Sequence, residues 1–189
     1  ILPSMIETAA VSWVTPTYLV TRGQQIRVYS CIKREIYARG GSFFLRDTKG
    51  DPPVEGGYKG ATVLEPKRAP WFYPRAIVSL DFASLYPSTM MQYNLSHETW
   101  SPTPTDDGRF YHHEEGCGFI RTSVHQGILP TILIKLKASR KVYKNAMAFH
   151  EKQAHEALDD NARRTHAFME KVYDAKQKAT KVTMNSVYG

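Results

Sequence analysis

The run Asp81-Phe82-Ala83-Ser84-Leu85-Tyr86-Pro87-Ser88 carries residue types that phosphate chemistry needs. An apolar, strand-like stretch at 76–80 ends at Asp81, where a carboxylate is well placed to hold a metal ion. The backbone N–H groups that follow suit phosphate oxygens, and Tyr86 suits the face of a sugar. Each residue also has a plainer reading, Asp81 as a helix cap and Tyr86 as a core aromatic.

A second set lies near the end of the chain. Arg140 and Lys144 are four residues apart, so on a helix they share one face, with Lys137 close by. Lys178, Lys181, Asn185 and Tyr188 follow at intervals of three, four and three, which makes a single helical stripe. Two facing helices that present cations and an amide form a cradle for a triphosphate, Arg as a planar fork and Lys as a compact charge. With Asp81 these are parts of a nucleotidyl-transfer site. Such sites commonly use two metal ions about 3.5–4 Å apart, which calls for a second carboxylate. None after Asp81 is well placed: Asp106-Asp107 lies in a Pro/Thr/Gly loop and reads as a solvated turn.

Other signals are set aside. His112-His113-Glu114-Glu115 with Cys117 is too contiguous for one ion and reads as a polar hairpin. His150 and His155 miss the HExxH interval by one residue, and on a helix their rings point about 140° apart. There is no GxGxxG and no P-loop. Trp13, Trp71 and Trp100 read as packing residues, and Lys137, Lys141 and Lys178 as solvated. Cys31 and Cys117, outside any CxxC pair, read as reduced thiols of an intracellular protein, with a disulfide between them as the alternative.

The elements that must hold these groups follow from pattern. Apolar residues at 26, 28, 29, 32 and 36 have roughly helical spacing. Turn-rich sequence at 47–53 and Gly56-Gly57 divides this region from strands expected at 58–66 and 76–80. A helix is expected over 85–93, then a hairpin of 110–113 and 119–124 about Gly116-Cys117-Gly118. From Gly127 onward, Pro130 in a first turn and Asp159-Asp160-Asn161 as caps predict two long antiparallel helices joined by a short bend. The net charge of +7 is uneven: residues 129–189 hold twelve Lys/Arg against six Asp/Glu, which suggests a polyanionic partner or a solvated cationic face. No apolar run approaches the roughly 20 residues of a membrane span.

Two motifs in order carry a family resemblance. The DxxSLYPS run at 81–88 resembles motif A of the family B DNA polymerases, and Lys181-Val182-Thr183-Met184-Asn185-Ser186-Val187-Tyr188-Gly189 resembles motif B. Thr21-Arg22-Gly23-Gln24-Gln25-Ile26-Arg27-Val28 is similar to the segment just after that family's proofreading exonuclease. Tyr58-Lys59-Gly60-Ala61 is similar to its YxGG/A motif, and Gly127-Ile128-Leu129-Pro130 to the start of the first fingers helix. Thr89 stands where the family usually has Ile, and Ser96-His97-Glu98-Thr99-Trp100 is unusual.

The resemblance implies that Asp81 and the carbonyl of Phe82 bind Mg2+, and that Ser84 and Leu85 offer backbone N–H groups to the triphosphate. Tyr86 would stack under the sugar and exclude a ribose 2′-hydroxyl. Arg140, Lys144 and Lys181 would hold phosphates, with Asn185 lining the nucleotide pocket. Tyr58, Gly60, Ala61, Tyr188 and Gly189 would contact DNA. In that family the second metal carboxylates lie beyond motif B, so the chain is expected to be an excised internal segment, inactive alone.

The expected fold is α+β. Residues 1–57 form the end of an exonuclease-side region and a linker, 58–126 part of an antiparallel palm sheet with motif A, and 127–189 a helical fingers hairpin. The expected partners are primer-template DNA, dNTP and, for the full-length enzyme, a processivity factor, in a nuclear or viral replication compartment and without a membrane. The competing reading is a non-catalytic nucleic-acid-binding module built on the basic hairpin.

Overall fold

The computed structural model describes residues 2–41, 63–65, 75–114 and 116–188. They fall into two compact units, one of Ile1–Phe43 with Ser84–Gly189 and one of Phe44–Ala83.

The larger unit is helix-rich α+β. Its helices are α1 (Leu2–Ser12), α2 (Pro16–Thr21), α3 (Gln25–Ala38), α4 (Leu85–Gln92), α5 (Ile128–Glu156) and α6 (Asp160–Asn185). Three short strands, β1 (Trp100–Ser101), β2 (Phe110–His112) and β3 (Gly118–Ile120), form an antiparallel sheet in the order β1-β3-β2. Tyr111 lies opposite Phe119 and Trp100 opposite Phe119 on the other side. Gly116 makes the β2–β3 turn at φ 83°, a left-handed conformation that only glycine adopts without cost.

Local chemistry accounts for the boundaries. Thr15 caps α2, accepting from the Tyr18 N–H at 3.3 Å, and Pro16 opens the helix where its missing N–H costs nothing. Asp159 caps α6 through Ala162 N at 2.8 Å, with acidic Asp160 in the first turn favoured by the helix dipole. The expected helical hairpin is therefore present: α5 runs 29 residues, about 43 Å, and α6 returns beside it.

The core lies at the base of the hairpin. Cys31 of α3, Ile132, Leu133 and Leu136 of α5, and Met184 of α6 pack together, flanked by Val11, Ile32, Met90, Met91, Ile128 and Val187. A hydroxyl pair, Ser12 with Thr183 at 3.3 Å, joins α1 to α6 inside it. On its outer side Glu35 accepts from Lys135 at 2.6 Å and Arg39 at 3.1 Å, and Arg39 also donates to the Gln126 carbonyl and Thr131 hydroxyl, both at 2.8 Å. Burial pushes the Glu35 carboxyl up, but these two cations more than offset it and hold it below its ordinary range.

A loop after α4 holds the start of α5. Gly127 precedes that helix and offers no side chain to cap it. Asn94, fully buried, instead accepts from Gly127 N at 2.8 Å and donates to the carbonyls of Ile120 and His125 at 2.7 and 2.8 Å. The Glu98 carboxylate accepts from Ile128 N and from the Ser96 hydroxyl, and that hydroxyl accepts from Leu129 N at 3.3 Å. A Cβ on Gly127 would stand 2.9 Å from Asn94 Oδ1, so glycine is what lets the two segments approach.

The smaller unit corrects one expectation. Residues 76–80 form no strand, and Ile77, Val78 and Leu80 are 71, 78 and 90% exposed. Strand structure needs a neighbour to complete its ladder, and no described segment pairs with this one. Of the other expected strand, 63–65 is irregular and the remainder of 58–66 lies outside the described residues. The expected hairpin is present but shorter, its second strand ending at Ile120 rather than 124.

Candidate functional site

Ser84 opens α4 with φ 56° and ψ 53°, a left-handed conformation uncommon for a residue with a side chain. Its carbonyl accepts from Ser88 N at 2.9 Å, so α4 starts directly after the acidic turn. The first-turn N–H groups of a helix have no intrahelical acceptor, which leaves those of Leu85 and Tyr86 available to an anion. Tyr86 stacks on Tyr188, with centroids 4.8 Å apart and planes 18° apart. That contact brings the helical part of the first motif against the end of the second.

The hairpin sets out the cations. Tyr143 meets Tyr173 and His150 meets His166, which fixes the antiparallel alignment of α5 and α6. On that alignment Lys144 lies about 6 Å nearer the hairpin tip than Arg140, and Lys181 roughly 7–8 Å nearer the base. Ser139 and Ala179 line the clefts against α1. At about 100° per residue Lys144 is roughly 140° round α5 from Ser139, and Lys181 roughly 200° round α6 from Ala179. Lys144 and Lys181 thus lie on the side of the two-helix layer away from α1, while Arg140, about 100° round from Ser139 and half-buried, sits nearer the seam between the helices.

Charge pairing separates these cations from Lys178. Among the described residues, Arg140, Lys144 and Lys181 have no carboxylate partner, and Arg140 Nε is buried without an acceptor. Lys178, in the same stripe, is tied to Asp174 at 2.6 Å, and that hydrogen bond holds the Asp174 carboxyl below its ordinary range.

Asn185 opens on a cleft of about 540 Å3 that Gln24, Gln25, Val182 and Ser186 also line. The Ser186 hydroxyl is hydrogen-bonded to the Gln24 side chain and lies 2.8 Å from the Val182 carbonyl, with one proton shared between the two acceptors. The two glutamines bring the 21–28 segment to the end of α6; their sequence resemblance was visible, their meeting with Asn185 was not.

Asp81 and Phe82 belong to the smaller unit, outside any helix or strand, with both residues exposed. Asp81 has no ion-pair partner among the described residues. A free carboxylate and a neighbouring carbonyl are the hard oxygen donors that Mg2+ takes. Tyr58, Gly60, Ala61 and Gly189 lie outside the described residues.

The loop acids behave as the sequence suggests: Asp107 is held by Arg109 at 2.6 Å, which keeps its carboxyl well below the usual range. The aromatic expectation needs correcting, because Trp13 and Trp100 are 59 and 52% exposed rather than packed. His150, weighed only against His155 in sequence, meets His166 across the hairpin with Nδ1 atoms 2.9 Å apart. Both cysteines are free thiols, and burial raises the Cys31 thiol above its ordinary range.

A sequence model of DNA polymerase family B matches residues 14–189, and the chain belongs to that family. It is 37% identical over 186 residues to the DNA polymerase delta catalytic subunit of Caenorhabditis elegans, covering 97% of this chain and 16% of that protein. It is 36% identical over 200 residues to the DNA polymerase of Paramecium bursaria Chlorella virus NY2A, covering all of this chain and 20% of the relative. Among solved structures, the family B DNA polymerase of the archaeon Pyrobaculum calidifontis superposes with TM-score 0.64 at 27% identity, over 99% of this chain and 22% of that one. The chain thus spans about a sixth to a fifth of the length of these curated relatives.

Proposed function

We propose that this chain forms part of a template-directed DNA polymerase, supplying the acid, the sugar-facing aromatic and the phosphate-holding cations of the dNTP site. The observation that carries this reading is the Tyr86–Tyr188 stack, which joins two motifs far apart in sequence at one end of a helical layer whose open face is cationic.

In this reading Asp81 and the Phe82 carbonyl hold Mg2+ in a palm domain. When bound, the ion neutralises charge and polarises the α-phosphate for attack by a primer 3′-hydroxyl. Ser84 and Leu85 direct backbone N–H groups at the triphosphate. Arg140, Lys144 and Lys181, without a carboxylate partner among the described residues, take phosphate oxygens through charge-assisted bonds. Tyr86 lies under the sugar, braced by Tyr188, and its ring excludes a 2′-hydroxyl. Asn185 lines the nucleotide pocket, while Tyr58, Gly60, Ala61, Tyr188 and Gly189 lie along the primer-template. A processivity factor acts on the full-length enzyme, in a nuclear or viral replication compartment.

Positioning and charge neutralisation carry most of the catalysis in such reactions, so a site with one of its acids missing should fail. The isolated 189-residue chain is therefore expected not to extend a primer with Mg2+. The decisive variant is Asp81→Asn in the full-length enzyme. Loss of extension with DNA binding retained supports the polymerase reading; unchanged extension overturns it in favour of a basic nucleic-acid-binding module.

A further inference from the structure

Trp13 follows α1 with φ 56°, a left-handed conformation that a bulky residue rarely takes. The turn is held by Trp13 N to Ala10 O at 3.3 Å, Val14 N to Ala9 O at 3.1 Å, and the Ser30 hydroxyl to Trp13 O at 2.8 Å. A glycine would occupy that backbone without strain. The indole does not repay the strain by packing, since it is 59% exposed. Instead the Arg34 guanidinium lies over one face at 3.7 Å.

The outer face of α3 continues the pattern. Lys33, Arg34 and Tyr37 are exposed within one turn of each other, Tyr37 at 59%, with Lys33 over its ring at 5.8 Å. Among the described residues neither Lys33 nor Arg34 has a carboxylate partner. The nearby acid, Glu35, is already neutralised by Lys135 and Arg39. An exposed ring with a strained backbone beside unpaired cations is the composition of a platform on which bases stack while their phosphates are held.

We propose that Trp13 and Tyr37, with Lys33 and Arg34, form a docking surface for an unpaired DNA strand. Bases stack on the two rings, and the cations take the phosphates on either side. The surface is separate from the dNTP-site residues and needs neither dNTP nor metal. It does not rest on the nucleotidyl-transfer reading.

The test uses the full-length protein carrying this chain, in EDTA and without dNTP. A 20-mer of thymidylate containing 5-iodouracil is photo-crosslinked and the adducts are mapped by mass spectrometry, alongside anisotropy titrations across a salt series. Adducts are expected on Trp13 or Tyr37, and Asp81→Asn should leave them unchanged. Trp13→Gly should remove the Trp13 adduct and weaken binding about tenfold, Trp13→Phe should keep most of the affinity, and Arg34→Gln should lower the salt slope by about one. Because glycine suits the backbone there, Trp13→Gly should not lower the melting temperature, so lost binding is not lost folding. Absence of adducts on both rings, binding by Trp13→Gly within about twofold of the parent, or equal affinity for a 20-bp duplex would overturn the proposal.

Discussion

The ring of Tyr86 lies on the ring of Tyr188, centroids 4.8 Å apart and nearly parallel. Tyr86 begins a helix whose direction is set by the turn at Ser84, and Tyr188 sits in the 3-10 turn after α6. Neither motif alone determines where Tyr86 points; the contact between them does. Offset aromatic pairs contribute about 0.5–1.5 kcal/mol beyond area burial, enough to bias a side chain strongly towards one position.

Sugar selection should therefore depend on both rings. Tyr86→Ala in the full-length enzyme is expected to raise ribonucleotide incorporation strongly. Tyr188→Ala should raise it too, by a smaller factor, and Tyr188→Phe should leave it near the parent value. Single-nucleotide primer extension with matched dNTP and rNTP gives the ratios. Unchanged discrimination in Tyr86→Ala would remove the role given to that ring.

The lysines of α6 offer a contrast within one stripe. Among the described residues Lys181 has no carboxylate partner, whereas Lys178 is bonded to Asp174 at 2.6 Å. Lys181→Ala should raise the dNTP KM tenfold or more, as expected for a lost charge-assisted phosphate contact of about 1.5–3 kcal/mol. Lys178→Ala removes a surface ion pair and should change KM by less than about twofold. Steady-state kinetics on the two variants would reverse the assignment if Lys178 proved the more sensitive.

Glu98 should make the base of α5 sensitive to acid. Burial pushes its carboxyl up, but hydrogen bonds from Ser96 and Ile128 N pull it further down, leaving it below the ordinary range. A carboxyl lowered in the folded state stabilises above its unfolded value, near pH 4.3, and loses that contribution as pH falls through the folded one. Glu98→Gln should cost about 1 kcal/mol at pH 7, and the gap from the parent should narrow towards pH 3. Denaturant midpoints across that range measure it; a gap independent of pH would mean the charge is not what anchors the helix.

Asn94 should matter more than its size suggests. Asn94→Ala leaves an amide and two carbonyls without their partner, for a cost of roughly 3 kcal/mol. Asn94→Gly, which accepts the φ of 56° more easily, should still lose most of that stability, because hydrogen bonds rather than backbone conformation are what disappear. Urea unfolding of both variants checks the order.

Periodicity and capping residues revealed the local features of this fold. Pro130 and the Asp159-Asp160-Asn161 caps marked both long helices, and the spacing of Lys181 and Asn185 marked their shared stripe on α6. Interactions between distant segments were hidden. A glycine before α5 signals that its cap comes from elsewhere, but not that Asn94 and Glu98 provide it. The cross-hairpin meeting of His150 and His166 depends on the alignment of two helices, which neither sequence pattern encodes. The apolar run at 76–80 has strand composition, but composition supplies no partner to pair with.

The borrowed cap also bears on how portable the helical hairpin is. Its far end is self-sufficient, closed by Asp159 within the bend, while its near end is stitched to a loop some thirty residues upstream. Transplanted into another scaffold without that loop, the pair would unravel from Ile128 inward, and a chimera would need to carry residues 94–98 along with it to stay wound.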